Sequence, residues 1–87
     1  MVAWLVRVVG WVVDTDEHLG KRMVESLAFA IDSIPNVELD WGSEASDARQ
    51  GFEWIRTKRS DLWKEHGERL ESAAARVGWG TRDGDDG

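Results

Sequence analysis

The chain has 87 residues with eleven basic and seventeen acidic side chains, a net charge of −6, one proline and no cysteine. That length supports one small domain with a core only marginally sufficient on its own. The absence of thiols excludes a disulfide framework, thiolate zinc sites and a cysteine nucleophile, and the acidic balance disfavours general binding to a phosphate backbone.

Residues 2–13 are β-branched and aromatic almost throughout, which predicts a packed strand. Alternation sorts it into two sets: Val2, Trp4, Val6, Val8, Gly10 and Val12 on one face, Ala3, Leu5, Arg7, Val9, Trp11 and Val13 on the other. The run is too short to span a bilayer, and it lacks the basic start and small-residue cleavage site of a signal peptide. A cytoplasmic setting without membrane contact is therefore expected, and the missing disulfides of a domain this small agree with it.

Asp14-Thr15-Asp16-Glu17 offers a capping oxygen, and a helical pattern follows until Ile34-Pro35. Its apolar stripe runs through Leu19, Met23, Leu27, Ala30 and Ile34, widened by Val24, Ala28 and Ile31. Gly20 costs the first turn about 1 kcal/mol relative to alanine. Residues 37–41 alternate apolar and acidic, which predicts a strand with Val37, Leu39 and Trp41 inward and Glu38 and Asp40 outward.

Residues 43–51 are small and polar and read as a loop. Residues 52–57 fit a third strand, because two parallel strands alone make a poor sheet. The competing pattern is one long helix from about Glu44, with Ala45, Ala48, Phe52, Ile55, Leu62, His66, Leu70, Ala73 and Val77 on one stripe. Arg59 breaks that seam and Ser60-Asp61 supplies a fresh cap, so a second helix is placed at 61–77. Residues 79–82 add a short final strand and 83–87 form an acidic disordered tail. The expected fold is one α+β domain over residues 1–82, a split-βαβ (ferredoxin-like) two-layer sandwich of strand-helix-strand-strand-helix order. The alternative is β-α-β with one long C-terminal helix.

Chemistry-bearing patterns are scarce. His18 and His66 form no local metal-binding pair, so no metal and no cofactor are expected. Asp83-Gly84-Asp85-Asp86-Gly87 lacks the bidentate glutamate of a calcium loop, and Gly78-Trp79-Gly80 is not a phosphate-binding fingerprint. Arg56-Thr57-Lys58-Arg59 is the one basic cluster, and no RNA-recognition motif accompanies it. Six tryptophans exceed what a small two-layer core covers, and aromatic residues are favoured anchors at interfaces.

The sheet's uncovered side is expected to be the working surface. It carries Leu5, Arg7, Val9, Trp11, Val13 and Ile55, with Glu38, Asp40 and Glu53 at its rim and Arg7 paired across strands to Glu53. Asp16, Glu17, Glu44 and Asp47 would meet a partner by long-range attraction. The expected function is a small acidic, non-enzymatic interaction module or inhibitor that binds a second copy or another protein, to which a basic surface is suited. Arginine-rich composition suggests an actinobacterial or phage accessory protein. Two other classes compete: a dimeric α+β barrel enzyme whose His66, Trp63 or Arg7 meets a small organic substrate, and a structural component of an assembly such as a virion.

Overall fold

A computed structural model describes residues 2–78, and every described element is helical. The order is α1 (Ala3–Thr15), α2 (Glu17–Ser33), two single-turn 3₁₀ helices (Asn36–Glu38 and Gly42–Glu44), α3 (Ala45–Lys58), α4 (Ser60–Glu65) and α5 (Gly67–Arg76). The α+β sandwich is thus overturned: no strand exists among the described residues, and the three expected at 2–13, 37–41 and 52–57 are helix or irregular chain. The expected short strand at 79–82 and the tail at 83–87 lie outside the described residues.

The first segment is helical despite its five valines, which cost on the order of 3 kcal/mol relative to alanine. Packing overrides that preference. Ala3, Val6, Val9, Gly10, Val12 and Val13 are buried, while Trp4, Leu5, Arg7 and Trp11 between them are exposed and Val8 is partly so.

The inward side meets α3 at close range. A Cβ placed on Gly10 would lie 2.7 Å from the carbonyl oxygen of Gly51, and one placed on Gly51 would strike the carbonyl of Val6. The two backbones touch there without intervening side chains. Arg7 pairs with Asp47 on one side of this contact and Asp14 with Lys58 on the other, so α1 and α3 run parallel.

Asp16 forms the whole joint between α1 and α2. Its backbone is extended, its N–H donates to Val12 O at 2.8 Å, and its carboxylate accepts from Leu19 N at 3.0 Å as the α2 cap. Gly20 then passes over α1 so closely that a Cβ would sit 2.7 Å from Val13 Cα. The glycine that costs helix propensity is what permits so short a joint. On α2 the buried set is Gly20, Val24, Leu27, Ala28 and Ile31, while Leu19 is exposed.

After Pro35 the chain crosses to α3 on two anchors, Leu39 and Trp41, both buried. They face inward as the alternation predicts, but Val37 is 80% exposed because the segment turns instead of extending. Asp40 Oδ1 accepts from Gly42 N at 3.1 Å, and Gly42 takes φ +55°, a conformation open to glycine.

The second half is close to the long-helix alternative, broken twice. Arg59 interrupts it at φ −134°, and its guanidinium grips Asp61 with two hydrogen bonds of 3.0 and 2.9 Å. His66 marks the second break. Leu62, Leu70, Ala73 and Val77 are buried as the stripe requires. Phe52 lies at the centre, edge-on to Trp41 at 6.0 Å and to Trp63 at 6.1 Å. Arg69 reaches Asp32 at 3.5 Å and ties α5 to α2.

Gly51→Ala should therefore destabilise the protein by about 3 kcal/mol, the upper end of overpacking costs, because backbone cannot move aside as a side chain can. Gly67→Ala, where an added Cβ meets nothing within 4 Å, should be neutral or stabilising by up to about 1 kcal/mol. Urea denaturation of both variants checks the contrast.

Hydrogen bonding to Arg59 lowers the Asp61 carboxyl from 3.8 to about 2. A carboxyl depressed by folding contributes stability that is complete above its unfolded value near pH 4 and disappears as pH falls through about 2. An acid titration followed by circular dichroism should show Asp61→Asn less sensitive than the parent between pH 4 and 2.

Candidate association surface

The outward side of α1 carries what the core does not use. Trp4, Val8, Trp11 and Thr15 follow one another at spacings of four, three and four, so they form a single stripe along the helix. Trp4 is 53% and Trp11 57% exposed, Val8 is partly exposed, and Leu5 at 39% adds to one margin. On the other margin is α3, where the half-buried Trp54 stands against Gly10. Large apolar side chains are exposed elsewhere too, as at Leu19 and Phe29 of α2. Those two stand ten residues apart, and isolated exposures of this kind are ordinary. A contiguous tryptophan-rich stripe is not.

Arg7 and Asp14 flank the stripe on the α3 side, two helical turns apart. Arg7 Nη1 lies 3.4 Å from Asp47 Oδ1, and Lys58 Nζ lies 3.5 Å from Asp14 Oδ1. Arg7 is thus paired to Asp47, not to Glu53 as the sheet register required. Both pairs are well exposed and contribute about 1 kcal/mol at most, so they position charges more than they stabilise. The face is locally neutral on a chain that is otherwise acidic.

The residues expected to share an open sheet face separate. Leu5, Arg7 and Trp11 are exposed, whereas Val9, Val13 and Ile55 are buried in the core. A period of two puts Arg7, Val9, Trp11 and Val13 together, and the helical period turns Arg7 and Trp11 away from Val9 and Val13. The acidic residues divide as well. Asp16 caps α2, Asp40 closes a turn and Asp47 holds Arg7. Glu17 stands exposed in the first turn of α2, Glu38 in the first 3₁₀ turn and Glu44 just before α3. Sequence reasoning missed Trp4 and Val8 on this face by assigning both to the core side of a strand.

One further grouping was invisible in the sequence because its members lie on different helices. Ligand atoms of Glu25, Glu65 and His66 lie within 4.8 Å of one another, which brings His66 into a carboxylate pair that no local spacing signals. Both glutamates are exposed, and His66 is partly buried with no hydrogen-bond partner for Nε2.

Comparison with protein-family models, with curated proteins and with solved structures gave no match. No helix among the described residues is long and apolar enough to cross a membrane.

Asp16→Ala should cost about 1 kcal/mol through loss of the α2 cap. Glu17→Ala, one residue on, should stay within about 0.5 kcal/mol of the parent in thermal melts.

Proposed function

We propose that this chain is a protein-association module that works through the tryptophan stripe of α1. The observation that carries this reading is that stripe itself: Trp4, Val8 and Trp11 held in register on a helix whose opposite side is locked to α3. Tryptophan supplies a large contact area with few rotatable bonds, so little entropy is lost when a partner covers it. A helix seated backbone to backbone on its neighbour presents these rings without having to rearrange, which lowers the cost of binding.

This reading replaces association through a sheet face, which the all-helical architecture removes. The barrel-enzyme alternative falls with it, since a dimeric α+β barrel is built from paired sheets. The partner is a protein with an apolar surface that covers the tryptophans.

A photoreactive amino acid substituted at Trp11 tests the reading in living cells, with the same substitution at the exposed Ser26 of α2 as control. Position 11 should yield a discrete adduct whose partner peptide is readable by mass spectrometry, lost when Trp4→Glu is added. Equal and diffuse labelling from both positions would reject the stripe as a binding surface.

A further inference from the structure

We infer that the stripe's partner is a second copy of this chain, with the two α1 helices packed antiparallel about a two-fold axis near Gly10. The inference rests on the association reading above and adds to it the occupant and its orientation. The deciding observation is the order of charges along the α3-side flank. On α1 that flank carries Arg7 and then Asp14, and their α3 partners Asp47 and Lys58 carry the reverse order.

A two-fold axis perpendicular to a helix reverses its direction but keeps each flank on its own side. Arg7 of one copy then faces Asp14 of the other, and the same pair repeats on the far side of the axis. The row along that flank reads Asp47, Arg7, Asp14, Lys58 across the two copies, with signs alternating throughout. Parallel packing, about an axis along the helices, would instead turn the α3-side flank of each copy toward the Leu5 and Val12 margin of the other and leave Arg7 and Asp14 without partners across the contact. The flank is therefore self-complementary in one orientation only.

The apolar stripe fits the same axis. Trp4, Val8, Trp11 and Thr15 repeat at the alternating four-three spacing of a helix-pairing seam. About an axis near Gly10, Trp11 of each copy packs beside Val8 of the other, and Trp4 reaches the opposite Thr15. Trp54 of α3 has its Cβ beside Gly10, so this half-buried residue borders the contact near the axis. Face neutrality matters here too, because a chain carrying −6 overall would otherwise repel its copy. A seam of one short helix is small, so the dimer should be reversible in the micromolar range.

Charge reversal tests the orientation. Sedimentation of the full chain across micromolar concentrations should show dimer formation. Arg7→Asp alone and Asp14→Arg alone should each weaken it by about tenfold or more, since each places like charges opposite one another twice. An equimolar mixture of these two variants should recover the parental affinity as a heterodimer, because every facing pair is then opposite in sign. If a reversal lowers the melting temperature, Arg7→Gln and Asp14→Asn replace it, with a smaller loss expected. A dimer indifferent to both substitutions, or variants that fail to complement, would overturn the antiparallel seam. A strictly monomeric parent would overturn self-association; a Trp11 adduct to a different protein would then leave the association reading standing, and no adduct would remove both.

Discussion

Everything in this fold depends on two helices being allowed to touch backbone to backbone. Gly10 of α1 and Gly51 of α3 remove the side chains that would hold the axes apart, and Ala3 and Ala48 keep the approach shallow along the same seam. That closeness lets a short, valine-rich helix find enough contact to overcome its poor helix propensity. It also fixes which side of α1 is inside. Once Val6, Gly10 and Val13 are committed to the seam, helical geometry leaves Trp4, Val8 and Trp11 on the opposite side.

The rest of the architecture follows from how little chain is spent on connections. Asp16 alone ends one helix and begins the next, and Gly20 tolerates the resulting proximity. The second half has the same economy, with Arg59 and His66 each turning the chain by a single residue. Arg69–Asp32 and the α1–α3 ion pairs then join the layers at the surface. Between them Phe52, Trp41 and Trp63 fill the centre, which accounts for two of the chain's tryptophans as core.

How much of this could be read from sequence depended on whether a segment's pattern was ambiguous. In α2 polar residues interrupt the apolar ones at helical spacing, so its end before Pro35 is legible, while its cap is narrowed only to residues 14–17, of which Asp16 is the one that caps. The stripe of Leu62, Leu70, Ala73 and Val77 is legible for the same reason. In α1 nearly every residue is apolar, so periods of 2.0 and 3.6 fit equally well and β-branching tips the choice toward strand. The informative residues there were the small ones: Ala3 and Gly10 seven apart, answered by Ala48 and Gly51. Their meaning required knowing that the two segments meet. Phe52 and Ile55 were rightly marked as core candidates on the long-helix stripe, and requiring a third strand displaced that reading. The candidate surface is legible only in part, because Leu5, Arg7 and Trp11 stay exposed under the change of period while Val9 and Val13 do not.

The Gly10–Gly51 seam also sets an order of events during synthesis. Translation proceeds at roughly 5–20 residues per second, and the partner of Gly10 lies about forty residues further along the chain. For several seconds the segments of α1 and α2 are out while their valine-rich residues have no α3 to close on. The apolar residues of the first segment are then open to solvent, so the nascent chain is a ready substrate for chaperones that recognise hydrophobic segments. The arrival of α3 hides one side of α1 and leaves the other. A newly made chain thus passes from general stickiness to a single defined face, and the timing of that change is written in the distance between two glycines.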